Sequence, residues 1–278
     1  MSYDIDTHFH RECVNALGID GGEVHEDVLK CFLQKFFSFE SAEKIFLSIS
    51  EDIESFRTID PASCEYSLEQ ILSVRRGMAA IAAHRIFSEI LFHNPQKIYD
   101  LEVLAKYVQK DTNVEIHPHA KIGRRFAIDH GHGTVIGATA IIDNNVWLYH
   151  GVTLGATGKQ DAHGRRHPKI GSSCYFGNAS QVLGPSILGK NVSLAAGSVI
   201  ADSFLDDDVS VFLGVKISGV CIPRGTKIFA ADPENPLRYW VRTQGEKNAQ
   251  WKEFSKFSEC RNPHWKNAED NEKCLCVL

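Results

Sequence analysis

From residue 24 to about 110, apolar side chains recur every three or four positions. In residues 27–39, Val28, Leu29, Phe32, Leu33, Phe36 and Phe37 fall on one stripe, the spacing of an amphipathic helix. The same spacing across 67–92 predicts a second, longer helix, and "SAEKIFLSISEDIESF" and "DLEVLAKYVQK" supply shorter ones. Between them, "TIDPASCEYS" (58–67) carries a proline and capping residues and reads as a connection. Residues 1–112 are therefore expected to form an α-helical domain.

At residue 116 the spacing changes to six. Ile116, Ile122 and Ile128 form one run, Ile136, Ile142, Leu148 and Leu154 a second, and Ile170, Phe176, Val182, Leu188, Leu194 and Ile200 a third. Small or β-branched residues stand four places after these, as at Ala120, Ala140, Val152, Cys174, Ser180, Val192 and Ser198. A hexapeptide period marks a solenoid: each repeat is a short strand and a turn, three repeats make a triangular coil, and stacking the coils buries the apolar column. A parallel β-helix is expected over 113–222, with the period fading after about residue 201. Residues 223–278 form a C-terminal extension, polar with interspersed aromatics, and the pattern leaves open whether it packs.

Two interruptions break the period. Ile128 and Ile136 are eight apart, and "GATGKQDAHGRRHPK" separates Leu154 from Ile170. Solenoids carry insertions as loops on their faces, where binding and catalytic groups concentrate. Both interruptions hold histidines.

Composition narrows the class of partner. A formal charge of −5 over 278 residues shows no basic excess for nucleic acid or an anionic membrane, so small molecules are the expected ligands. No segment has the length of a membrane span or the order of a signal peptide, and the eight cysteines lack paired CxxC spacing. A cytoplasmic protein with reduced thiols is expected.

The groups with chemistry in them are Asp60 in the helical connection, Glu115 and His117 at the first coil, Asp129, His130 and His132 at the first interruption, and Arg166 and His167 in the long loop. Glu115 and His130 lie fifteen residues apart, near the eighteen of one coil. A carboxylate one coil from an imidazole can hold one ring nitrogen and leave the other as a base. His117, ahead of Pro118, is read as shaping its turn.

"EIHPHAKIGRRFAIDHGHGTVIGATA", "VTLGATGK" and "RRHPKIG", together with "IDPASCEYS" and "GMAAIAAHRI", resemble the motifs of the serine O-acetyltransferases, hexapeptide-repeat acyltransferases with a left-handed β-helix. The resemblance covers roughly residues 58–200 and implies acetyl transfer from acetyl-CoA to the hydroxyl of L-serine. It places His130 as the general base and Glu115 as the carboxylate that orients it. Asp60 and Asp129 would hold the substrate ammonium, Arg166 and His167 its carboxylate, and Gly155, Thr157, Gly177 and Ala196 would line the CoA groove, with no metal.

The resemblance further implies a homotrimer or a hexamer of paired trimers, cysteine as a feedback inhibitor in the serine site, and docking of the carboxy-terminal tail, here Val277-Leu278, on O-acetylserine sulfhydrylase. This chain departs from the family pattern at Ala138 and Ala156, at Gly214-Val215-Lys216-Ile217, and in a long loop about two residues longer. Two other readings remain. One is acylation of another amino alcohol such as homoserine. The other is a zinc enzyme resembling the γ-class carbonic anhydrases, drawing on His117, His119, His130, His132, His150 and His167.

Overall fold

The computed structural model describes residues 7–19, 22–161 and 163–256. Six α-helices come first: α1 (Thr7–Ala16), α2 (Glu26–Phe36), α3 (Phe39–Ile59), α4 (Leu68–Val74), α5 (Arg76–His93) and α6 (Ile98–Thr112). Ser38 caps α3 by accepting the Ser41 N–H, and Ser67 with Gln70 forms a reciprocal capping box on α4. The run of alanines in α5 lets it lie at the centre of the bundle, buried from Gly77 through Phe87.

Two features differ from the sequence expectation. Helix α1 forms within the polar amino-terminal stretch, where Phe9, Cys13 and Ala16 give it a narrow buried stripe. The single helix expected over 67–92 is broken at Arg75, whose backbone (φ −102°, ψ 88°) leaves the helical region. The break redirects the chain so that Gly77 packs directly on the solenoid. A Cβ there would stand 2.3 Å from the Ile128 carbonyl oxygen.

The solenoid has three faces of short parallel strands and six coils. The first face runs from Val114–Ile116 through Thr134–Ile136, Thr153–Gly155, Gln181–Leu183 and Val199–Ala201 to Lys216–Ser218. The second begins at Lys121–Ile122 and the third at Ala127–Ile128. From Ile128 to Ile200 the predicted column of apolar residues is buried without exception. We call the edge between the third and first faces the histidine edge, and that between the first and second the loop edge.

Strand register locates every irregularity. Lys169 faces Ile187, 18 residues on, which is the regular coil. Lys121 faces Ile141, 20 on, and Ile141 faces Lys169, 28 on, so the two interruptions add about two and ten residues. Past residue 200 the solenoid continues rather than ending: Ile187 faces Phe204 and Phe204 faces Cys221, each 17 on. The period fades there because the loop-edge turns, carrying Asp202 (φ 46°) and Gly219 (φ 71°), are one residue tighter. The core column goes on through Leu205, Val211, Ile217, Ile222 and Ile228.

The described part of the C-terminal extension packs. Lys227–Ala231 joins the third face, and Arg238–Arg242 and Gln250–Glu253 add two antiparallel strands. Tyr239 and Val241 are buried beneath them, closing the open end of the stack. At the other end, Arg85 and Asp52 form a buried ion pair. The Arg85 guanidinium donates to the carbonyls of Ile122 and Gly123, and Asp52 accepts the Phe126 N–H at 2.9 Å, which ties the bundle to the first coil.

Among the described residues no helix is long and apolar enough to cross a membrane. Burial pushes the Cys13 and Cys174 thiols up to about 12 and leaves them inert. Cys221 departs from the reduced-thiol expectation. It is disulfide-bonded.

Candidate active site

The first interruption forms a bulge at the histidine edge. Asp129 N–H donates to Leu148 O at the level of Tyr149, and Gly151 N–H donates to His132 O, so Asp129 and His132 keep regular places in the stack. His130 and Gly131 are the extra pair, both left-handed (φ 60° and 84°). Glycine suits position 131 because a Cβ would meet Val114 Cγ2 at 2.9 Å and Gly77 Cα at 3.0 Å. His130 is thereby lifted out of the wall, and its side chain is 55% exposed.

Asp129 is buried beside it, with Oδ1 accepting the His130 N–H at 2.9 Å and Oδ2 lying 3.8 Å from His130 Nε2. The ring of His130 meets His150 edge-on at 5.7 Å, and His132 stacks on His150 at 4.5 Å and 19°. Burial, reinforced by the neighbouring His132 and His130, holds the His150 pKa below the usual histidine range. Imidazole lone pairs lie in the ring plane, so near-parallel stacked rings do not converge on one ion. Among the described residues no group of three His, Cys, Asp or Glu side chains is arranged to hold a metal.

The second interruption hangs from the loop edge. Its two arginines divide the work. Arg165 folds back: Nε donates to Asp161 Oδ2 at 2.9 Å, Nη1 to His167 O and Ser186 O, and Nη2 to Pro185 O. Arg166 is exposed, and its guanidinium has no partner among the described residues. His167 is buried against Gly137 and reaches Thr139, whose hydroxyl oxygen lies 2.9 Å from Nδ1. Burial first, then the charge of Arg166, keeps the His167 pKa below the usual range, so the ring is neutral at pH 7.

Other candidates have partners of their own. Glu115, on the outer surface of the first face, accepts from Gln109 Nε2 at 2.8 Å and lies 3.6 Å from Lys106 Nζ. Among the described residues it has no hydrogen bond to His130. Asp60 accepts from Arg75 Nη2 at 2.8 Å, from the Ser63 hydroxyl at 2.6 Å and from Ala62 N–H at 3.1 Å. His117 accepts the His119 N–H through Nδ1 and so shapes its turn. Thr157 donates to Asp202 Oδ1, and Lys159 pairs with the same carboxylate.

The candidate residues thus sort onto two edges. Asp129, His130, Gly177 and Ala196 follow strands of the third face, while Arg166, His167, Gly155 and Thr157 sit at or after the end of the first. At about 3.3 Å per residue, the width of one face separates the two groups by roughly 15 Å. A single chain does not bring them together around one small substrate.

Comparison with known proteins gives the chain's family. The chain is 38% identical to the serine acetyltransferase of Bacillus licheniformis over 183 residues, which are 66% of this chain and 81% of that protein. The chain belongs to the serine acetyltransferase family. The solved serine acetyltransferase of Neisseria gonorrhoeae superposes with a TM-score of 0.60 at 26% identity, covering 87% of this chain and 85% of that one. The serine acetyltransferase of Brucella abortus strain S19 in complex with coenzyme A superposes with a TM-score of 0.55 at 25% identity, covering 87% and 82%. No family model matches the chain.

Three groups that shape this candidate site escaped the sequence reading: Thr139, Arg165 and Arg75. Each acts through backbone groups or a partner distant in the chain. The Arg165-Arg166 doublet alone signalled that one arginine was spare.

Proposed function

We propose that this chain transfers the acetyl group of acetyl-CoA to the hydroxyl of L-serine, giving O-acetyl-L-serine for cysteine biosynthesis. The observation that carries the reading is the inserted His130-Gly131 pair, which presents an exposed imidazole beside a buried carboxylate in a chain of this family. His130 removes the hydroxyl proton as the new C–O bond forms at the thioester carbonyl. The C–S bond then breaks, and the proton passes from the imidazolium to the departing thiolate, releasing CoA. Such a base contributes about 10²- to 10⁴-fold.

Asp129 holds the substrate ammonium and Arg166 with His167 its carboxylate, in charge-assisted pairs. Asp60 would join Asp129 only by giving up Arg75, and Glu115 would orient His130 only by turning from Gln109. Because the two residue groups stand on separate edges, we assign the complete site to the groove between adjacent solenoids, which makes a trimer the smallest active form. Gly177 and Ala196 of one chain and Gly155 and Thr157 of the next would line the CoA path. Pairing of trimers through the helices, inhibition by cysteine, and a cytoplasmic setting complete the reading. Docking of the tail on O-acetylserine sulfhydrylase concerns Val277-Leu278, which lie outside the described residues.

The test is thiol release from acetyl-CoA by purified protein with serine or homoserine, with light scattering for the assembly. Serine-dependent release from a trimer or hexamer is expected. Release with homoserine alone would reassign the acceptor, and no release with serine would end the reading.

A further inference from the structure

Thr139 stands in the turn Gly137–Ala140, one coil above the long loop, and four contacts join it to Arg166 and His167. Its hydroxyl oxygen accepts the backbone N–H groups of Arg166 at 2.9 Å and His167 at 3.0 Å. Its own N–H lies 3.2 Å from His167 Nδ1, and the hydroxyl oxygen lies 2.9 Å from the same atom.

A backbone N–H can only donate, so Nδ1 must be the acceptor and the neutral ring carries its proton on Nε2. With both hydroxyl lone pairs taken by N–H groups, the hydroxyl proton is left for Nδ1 as well. Gly137 leaves room for the ring, since a Cβ there would stand 2.0 Å from His167 Nε2 and Cδ2.

We propose that Thr139 is a positioning residue: it fixes His167 as an Nε2–H donor and sets the backbone from which the Arg166 guanidinium extends, making a two-donor seat for a carboxylate. The inference rests on the reading of Arg166 and His167 as the acceptor's carboxylate site. The seat selects acceptors with a free carboxylate and discriminates against their esters and amides, which replace an anion by a neutral group beside the guanidinium.

Thr139→Val keeps the side-chain shape and removes the hydroxyl, whereas Thr139→Ser keeps the hydroxyl. With valine, the KM for serine is expected to rise about tenfold, as for one lost hydrogen bond in a charged site, with a smaller change in kcat and the KM for acetyl-CoA within about twofold. Thr139→Ser should keep the KM for serine within about threefold of the parent value. Nitrogen-15 spectra of histidine-labelled full-length protein, assigned with His167→Gln, should show the Nε2–H form of His167.

An unchanged serine KM in Thr139→Val, or an Nδ1–H ring in the parent protein, would overturn the proposal. If the parent protein acetylates no serine, the functional reading fails separately, and the spectra still decide whether Thr139 sets the tautomer.

Discussion

The two edges of the solenoid present functional groups by opposite means. At the histidine edge a two-residue insertion is absorbed by backbone conformation: His130 and Gly131 adopt left-handed angles, and no side-chain hydrogen bond holds the His130 ring among the described residues. At the loop edge a far longer insertion is held by side chains, with Arg165 bonded to three carbonyls and a carboxylate, Thr139 to two backbone N–H groups, and Asp202 to Thr157 and Lys159. The proposed base sits on a short bulge, with its side chain exposed. The groups proposed to meet a carboxylate in fixed geometry are braced from both neighbouring coils.

The largest effect should come from excising His130 and Gly131 together. That deletion returns the coil to its 18-residue spacing, so the solenoid should still assemble while acetyl transfer falls by at least about 10²- to 10⁴-fold. His130→Ala should match it in rate and leave the melting temperature near the parent value. Retained activity in either variant would show that the bulge does not supply the base.

Next in size is Gly137→Ala at the loop edge. The added methyl overlaps the His167 ring, so the variant should lose about 1–3 kcal/mol of stability and raise the serine KM more than the acetyl-CoA KM. Equal rises in both constants would mean that His167 does not belong to the acceptor's half of the site.

A pH effect sharpens the contrast beneath that edge. His84 is fully buried with Nε2 3.0 Å from Ala120 O, and burial together with the Arg85 charge pulls its pKa down to about 3. The unfolded chain therefore binds the extra proton first, below about pH 6.5, and stability falls as pH drops from there toward 3, at about 1.4 kcal/mol per pH unit. Above that window the ring is neutral in both states and the effect vanishes. Between pH 7.5 and 5.0, denaturant titrations should show a loss that is about 2 kcal/mol larger in the parent than in His84→Gln. Equal slopes in the two proteins would remove His84 as the cause.

The smallest effect is expected from Asp202→Ala, which frees Thr157 and Lys159 on the exposed side of the loop. Stability should change by less than about 1 kcal/mol, as for surface pairs, and the acetyl-CoA KM should rise only severalfold. A larger rise for serine than for acetyl-CoA would place Thr157 in the wrong half of the site.

Several elements were legible because one residue type at one period has one structural solution. Thirteen apolar positions six apart predicted the coils, and the two breaks in that spacing located the two edges that carry the candidate groups. The late coils were hidden because a turn one residue tighter shifts the period without changing the column it feeds. The break at Arg75 was hidden because "SVRRGMAA" keeps a helical pattern across it. What bends the chain there is the ion pair with Asp60, fifteen residues away, and the packing of Gly77 on Ile128.

The amino-acid sequence by itself determined the helical bundle, the solenoid, the places where the repeat opens, and the identity of the groups placed there, because periodicity and motif spacing are local properties of the chain. Tertiary structure decided which carboxylates have partners of their own, which of two adjacent arginines braces the loop and which has no partner among the described residues, and which nitrogen of His167 carries the proton. It also set the two groups on separate edges about one face apart. Those outcomes depend on hydrogen bonds between residues far apart in the chain, whose energies arise only once the coils are stacked.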